Sequence, residues 1–183
     1  MKFGKLLIYS ILVAVLAGIV VLITDLIQMT GFVTGAASLT FITFICWATY
    51  FLVGANPKDA SKAYLSFVVG IISAVLMFIL VTAFAPTMDV LLIAIPLAVV
   101  IVVPFMCLME KVEPVNNVAA IFAGTGMFFG LMGIPDIAAQ GYLMVGIGQL
   151  VYAFIGFAAG WVTIKIRIAV DKSGSKDTSS NNA

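Results

Sequence analysis

The stretch NNVAAIFAGTGMFFGLMGIP (Asn116–Pro135) has a helical face made only of small or polar residues. At helical spacing that face consists of Asn116, Ala119, Ala123, Gly126, Gly130 and Gly133. Neighbouring backbones can approach such a face closely, and in lipid this close packing drives helix association. The segment is also short for a bilayer and ends at a proline, as do the interrupted helices at which transporters place their sites. We therefore expect Asn116–Pro135 to be a central helix.

Composition places the whole chain in a membrane. Of its 183 residues, 63% are hydrophobic and 9% are charged, and the mean hydropathy is +1.24. A soluble domain carries roughly 25% charged residues. The protein is therefore expected to be integral to the lipid bilayer.

Several function classes lack their usual residues. The chain contains no His, which is the commonest metal ligand and general base. Cys46 and Cys107 are not spaced like a metal site or a redox pair, and a reducing cytoplasm would keep both as thiols. No phosphate-binding loop is present, and the loops are too short for a catalytic domain. We expect no enzyme activity, no cofactor or metal, and no nucleic-acid partner.

Six apolar spans are readable, each close to the roughly 20 residues that cross a bilayer. They are Leu6–Leu26, Phe32–Val53, Ala63–Phe84, Val90–Leu108, Asn116–Gly133 and Tyr142–Ile164. The first is too long for a signal peptide and has no clear cleavage site, so we expect it to be retained. The predicted fold is an all-α integral membrane protein with six transmembrane helices in residues 1–168. The polar residues 169–183 are predicted to be a disordered cytoplasmic tail.

The basic residues set the predicted orientation. With six alternating spans, every Lys and Arg falls on one side of the membrane: Lys2, Lys5, Lys58, Lys62, Lys111, Lys165, Arg167, Lys172 and Lys176. The opposite ends carry Asp25, Asp89 and Asp136. By the positive-inside rule both termini are cytoplasmic, in a bacterial inner membrane. Asp25 is either an interfacial carboxylate or an ion or proton site within the membrane.

Four prolines mark helix starts or irregularities. Pro57, preceded by Asn56 as a plausible N-cap, fits the first position of a helix. Pro135 ends the fifth span. Pro96 and Pro104 are expected to kink or break the fourth span, because each removes a backbone hydrogen bond.

The last span carries the most interior polar amide, that of Gln149. It belongs to a face of small and polar residues comprising Tyr142, Gly146, Gln149, Ala153, Gly156 and Gly160. Gln149 either makes an interhelical hydrogen bond that holds the bundle together, or lines a permeation path.

The two halves of the chain, 1–84 and 85–168, resemble each other. At an offset of 78 residues, Ala48–Gly70 matches Gly126–Gly148 at Phe51/Phe129, Pro57/Pro135, Ala60/Ala138, Tyr64/Tyr142, Leu65/Leu143 and Gly70/Gly148. Since each half holds three spans, two such repeats would have opposite topology. Inverted repeats build many transport proteins, with the path near the midplane at the repeat interface. Chance resemblance between apolar helices with aromatic ends is the alternative.

Two runs resemble a known family. The run CWATYFLVGANPKDASKAYLSFVVGIISAVLMFIL (Cys46–Leu80) combines an aromatic-rich helix end, a Gly/Pro loop, a Lys and a small-residue helix. The run Pro114–Gly133, which contains PVNNVAAIFAGTGMFFG, places a proline before another small-residue helix. Both are similar to segments of a bacterial inner-membrane family of unknown function, domain 1097, although the family often has further glycines where this chain reads NPKDASK. The resemblance implies a small multi-span membrane protein and assigns no site residues.

Two functions from different classes remain. The first is a channel or facilitator for a small, largely uncharged solute, favoured by the absence of charges at mid-membrane. The second is an accessory membrane subunit with no transport of its own, in which the small faces serve packing or homo-oligomer contacts. The residues predicted to line a path or to pack centrally are Asn116, Asn117, Ala123, Gly126, Gly130, Gly146 and Gln149.

Overall fold

Apolar helices make up nearly all of the described chain. A computed structural model describes residues 3–33 and 38–173. In chain order its helices are α1 (Phe3–Met29), α2 (Thr40–Leu52), α3 (Pro57–Phe84), α4 (Ile95–Leu108), α5 (Val118–Met132), a short α6 (Pro135–Ala138) and α7 (Gly141–Ser173). A π-helical turn (Val90–Ala94) leads into α4, and a 3-10 turn (Met109–Lys111) follows it. No strand occurs in these residues, which confirms the all-α class.

Four segments are long and apolar enough to cross a membrane, as expected of a membrane protein. They are Phe3–Met29, Pro57–Phe84, Val90–Lys111 and Gly141–Ser173. They correspond to the first, third, fourth and sixth predicted spans.

The helices of the second and fifth predicted spans are shorter than the sequence suggested. α2 has 13 residues and α5 has 15, so they measure about 20 and 22 Å, against a hydrocarbon core of about 30 Å. Part of the predicted span Phe32–Val53, residues 34–37, lies outside the described residues. Each short helix is followed by a turn and a proline, Pro57 after α2 and Pro135 after α5.

The helices pack in one bundle, and contacts between named residues show which helices run parallel. α3 and α5 run parallel, because Ser66 Oγ accepts the Asn117 backbone N–H near their starts and Phe78 meets Phe129 edge-on near their ends. α2 and α7 are also parallel: Thr43 Oγ1 donates to the Tyr152 carbonyl at 3.1 Å. About two turns further along both helices, Tyr50 of α2 abuts Gly160 of α7.

The longest helix, α7, runs antiparallel to α1 and α3. Tyr152 Oη donates to the Thr24 carbonyl at 3.2 Å, while Lys5 Nζ donates to the Asp171 carbonyl at 2.9 Å. These contacts bring together the start of α1, the ends of α2 and α7, and the start of α3. We call this the basic end, because Lys5, Lys58, Lys62, Lys165 and Arg167 lie on these helix ends.

Two glycines let the backbones of the parallel pairs, α3 with α5 and α2 with α7, come into direct contact. A Cβ built on Gly70 of α3 would strike the Ile121 carbonyl and lie 2.9 Å from the Thr125 nitrogen, close to Gly124. On α7, a Cβ built on Gly156 would strike the Thr43 carbonyl; it would also lie 2.7 Å from Cys46 Cβ and 3.0 Å from the Trp47 nitrogen. Only a residue without a side chain fits either place.

The prolines act mainly at helix starts. Pro57 is in the first turn of α3, where Asn56 Oδ1 accepts the Asp59 N–H at 3.0 Å, as the sequence predicted. Pro135 begins α6, and Pro96 lies in the first turn of α4, directly after the π-helical turn. Pro104 was predicted to kink or break its helix; α4 is not broken there, because it continues through Pro104 to Leu108, and the kink stays a prediction.

The predicted tail begins later than expected. α7 continues to Ser173, so residues 169–173 are helical rather than disordered. Val170 is buried, and the hydrogen bond from Lys5 holds this last turn against α1. Residues 174–183 lie outside the described residues.

Candidate functional site

A polar cavity of about 480 Å³ opens at the basic end between α3, α4 and α5. Its walls combine charged and amide side chains: Val53, Asp59, Lys62, Cys107, Glu110, Asn116, Asn117 and Val118. An ion pair of 2.8 Å between Lys62 Nζ and Glu113 Oε2 ties α3 to the segment before α5. This cavity is therefore a polar opening at one end of a mainly apolar bundle.

Asn116 and Asn117, both predicted site residues, lie in this cavity and have structural partners. Asn116 Nδ2 donates to Glu113 Oε1 at 3.0 Å. Asn117 is the N-cap of α5, and its Oδ1 accepts the Ala120 N–H at 2.9 Å. The Asn117 backbone N–H donates in turn to Ser66 Oγ at 3.2 Å. Both amides thus fix the start of α5 while presenting their remaining polar atoms to the cavity.

Gln149 lies deeper, at the meeting point of α7 and α5. Its Nε2 donates to the Gly124 carbonyl at 2.8 Å, and the residue is fully buried. Because a carbonyl only accepts, this contact fixes which end of the amide is nitrogen. The other end, Oε1, is buried and has no hydrogen-bond partner among the described residues.

An unpaired buried acceptor is unusual, because leaving it so costs about 1–3 kcal/mol. Gly124 packs against the backbone of Phe67, so α3, α5 and α7 meet within a few ångströms of the amide. Phe67 and Phe128 nearby are fully buried. We call Phe67, Gly70, Gly124, Thr125 and Gln149 the central seam.

Gly146, one turn before Gln149, packs against α3. A Cβ there would lie 3.2 Å from Ile71 Cγ2 and 3.8 Å from the Phe128 ring. The whole predicted face of α7 from Gly146 to Gly160 is buried, whereas Tyr142 is half-buried and stacks on Phe78.

Central packing of Gly126 and Gly130 is wrong for this chain. Both are exposed, and a Cβ at either would meet nothing within 4 Å. Ala123 is half-buried beside the main apolar core. The face of α5 that packs closely is the opposite one, which carries Ala120, Gly124 and Thr125, because α3 covers α5 on that side.

Two further polar features lie outside the cavity and the central seam. Asp25 is exposed near the end of α1, which agrees with an interfacial carboxylate. A buried hydroxyl cluster, which the sequence analysis did not single out, joins α1, α2 and α7: Thr24 Oγ1 lies 2.9 Å from Thr40 Oγ1, beside the Tyr152 contacts described above. Tyr152 was the feature of the sequence that could have indicated this cluster. It places an aromatic hydroxyl in the middle of an apolar helix, three residues after Gln149.

The site consists mainly of hydrogen-bonding groups. Amides and hydroxyls lie in the interior, whereas the charged residues Asp59, Lys62 and Glu110 line the cavity at the basic end together with Cys107. No group of His, Cys, Asp and Glu in residues 3–33 and 38–173 is arranged to hold a metal ion. Such an arrangement can bind and orient a neutral polar molecule.

Comparison with known proteins yields one match. A family model described as "Protein of unknown function (DUF1097)" matches residues 10–166, which overlap every transmembrane candidate and include the central seam. No curated protein and no solved structure matches the chain. Since the family model covers most of the sequence, the chain belongs to this family, whose function is not established.

Proposed function

We propose that this protein is a channel or facilitator for a small, largely uncharged solute in the bacterial inner membrane, with both termini in the cytoplasm. The observation that carries the proposal is Gln149, a fully buried amide whose Oε1 has no partner among the described residues. A passing solute with an N–H or O–H donor would pair with that oxygen. Small amides and small polyols have this chemistry.

The contacts of the two close glycines support an inverted repeat. Gly70 abuts Ile121, Gly124 and Thr125, whereas Gly156 abuts Thr43, Cys46 and Trp47. The contacted residues pair as Thr43/Ile121, Cys46/Gly124 and Trp47/Thr125, each 78 positions apart. In both places a glycine from the third helix of one half meets the short second helix of the other half.

The proposed repeat has a different register in its third helices. Gly70 corresponds in packing to Gly156, not to Gly148, which abuts Val33. α6 and the two residues after it supply six of the additional eight residues before α7 begins, and the other two lie within α7. Gln149 then corresponds to Ala63, which is also fully buried. The amide therefore has no counterpart in the other half of the proposed repeat, and we assign this one buried amide to contact with the solute.

Solute flux tests the proposal. Purified protein in liposomes should accelerate the entry of at least one solute from a panel of small amides and polyols, measured by stopped-flow light scattering against empty liposomes. Charged solutes of similar size should enter no faster than in controls, because no charged side chain is buried in the described interior. Equal rates with and without protein across the panel would refute facilitation.

An accessory subunit is the second candidate, favoured by the exposed small face of α5. Ala119, Gly126, Gly130 and Gly133 are all exposed there, and small residues favour close helix contacts between chains in lipid. This candidate predicts a homo-oligomer or a complex that Gly130→Leu weakens, while the panel shows no flux. Native mass spectrometry of wild type and variant measures the assembly.

A further inference from the structure

A second cavity opens on the side of the bundle rather than at its end. It measures about 540 Å³ and lies between α2, α3 and α7 near the basic end. Its walls are mainly aromatic and aliphatic, formed by Tyr50, Tyr64, Leu65, Phe154, Phe157 and Trp161. We call it the lateral groove. It is separate from the polar cavity, with which it shares no lining residue.

Few polar atoms face the groove, because Ser61 Oγ donates to the Lys58 carbonyl and Tyr50 Oη is buried, without a partner among the described residues. Tyr64 Oη donates to the Leu150 carbonyl at 3.2 Å, which leaves the Tyr64 ring to form part of the wall. That ring meets Phe154 and Phe157 edge-on, with centroids 6.2 and 6.1 Å away. Water gains few hydrogen bonds on such a surface, so an apolar chain from the bilayer is its favoured occupant.

One rim of the groove carries a positioned cation. Lys165 Nζ lies 5.4 Å from the centroid of the Trp161 ring, one helical turn further along α7. Trp161 is 44% exposed, and an exposed Trp of this kind belongs at the headgroup level of a membrane. Lys58, also exposed, follows Pro57, a lining residue of the groove, at the start of α3.

Acidic groups do not neutralise this rim. Asp59, in the same turn as Lys58, accepts a hydrogen bond from Asn56 Nδ2 at 2.7 Å and lines the polar cavity instead. No acidic residue lines the groove. The groove therefore combines an apolar slot about two helical turns long with positive charge at its mouth.

We propose that the lateral groove binds a phospholipid with an anionic headgroup. An acyl chain lies along Phe154 and Tyr64, and the phosphate contacts the ammonium of Lys165 beside Trp161. Basic pockets at the headgroup level select anionic lipids by this charge complementarity.

Tryptophan quenching by bromine-labelled lipids tests the site directly, because the chain has two Trp residues in different places. Trp161 lines the groove, whereas Trp47 is buried against α1. In the Trp47→Phe protein, brominated phosphatidylglycerol should quench Trp161 at about fivefold lower mole fraction than brominated phosphatidylcholine, the factor expected for one basic residue at an anionic headgroup. In the Trp161→Phe protein, Trp47 should show no such preference.

Two matched substitutions distinguish lipid binding in the groove from attraction of lipids to surface charge in general. Lys165→Gln should abolish the preference of Trp161 for phosphatidylglycerol. Arg167→Gln removes the same charge from a different face of α7 and should leave the preference intact. Equal quenching by the two lipids, a preference that persists in Lys165→Gln, or one that is lost equally in Arg167→Gln would each overturn the proposal. Because the readout is lipid contact, it is independent of solute flux.

Discussion

At the scale of single residues, the same amino acid has opposite roles at Gly70 and Gly126. Gly70 faces the backbone of α5, so even a methyl group collides with the Ile121 carbonyl. Gly126 lies on the exposed side of α5 and has open space around its Cα. Residue type alone therefore does not identify a packing glycine.

These two glycines provide a matched pair of variants. Gly70→Ala should lower the free energy of unfolding by about 1–3 kcal/mol, because α3 and α5 must move apart. Gly126→Ala should be neutral or stabilise by up to about 1 kcal/mol, since alanine favours the helix. Reversible unfolding in mixed micelles measures both. Equal destabilisation by the two variants would contradict the α3–α5 contact.

At the scale of elements, the sequence predicted which segments are helical better than which faces they bury. The face of α7 with Gly146, Gln149 and Gly156 is buried, because its small and polar residues are concentrated on one side. α5 misled the prediction, since small residues occur on both of its sides. Lipid and protein interior are both apolar, so hydrophobicity does not distinguish the two environments in a membrane.

The lengths of α2 and α5 could not be predicted either. Apolar residues continue past both ends of α2 and past the last residue of α5, so hydropathy indicates longer spans. In the structure α2 begins only at Thr40, and a turn at Gly133 separates α5 from Pro135. Hydropathy records the apolar environment and carries little information on where a helix ends.

The parallel packing of α3 and α5 has a direct test by disulfide crosslinking. In a background lacking Cys46 and Cys107, Ser66→Cys with Asn117→Cys should crosslink on mild oxidation, because the Asn117 nitrogen is 3.2 Å from Ser66 Oγ. The control pair Ser66→Cys with Met132→Cys, at the far end of α5, should stay reduced. Electrophoresis after cleavage of the loop between α4 and α5 detects the bond. The reverse outcome would mean that the two helices run antiparallel.

At the scale of the whole molecule, the described helices run in two opposite directions. α1 and α7 are antiparallel, as the contacts of Lys5 and Tyr152 require, and α3 and α5 are parallel, as the contact of Asn117 requires. Six alternating passages with the basic residues on one side stay a prediction from the charge asymmetry of the sequence.

Topology mapping tests that order. In a cysteine-free background, Asp136→Cys should react with a membrane-impermeant maleimide in intact cells. Ser173→Cys at the end of α7 should react only after the membrane is opened, because the account puts these positions on opposite sides. Labelling of both in intact cells, or protection of both, would contradict six passages.

The central claim is that Gln149 meets the solute. Gln149→Met keeps the size of the side chain and removes both polar atoms. The free energy of unfolding should therefore change by no more than about 1 kcal/mol. The decisive measurement is the flux, in liposomes, of the solute that wild type admits fastest. We predict at least a tenfold loss of protein-dependent flux in Gln149→Met, with unfolding and protein incorporation unchanged. Flux equal to wild type in the folded variant would contradict the account.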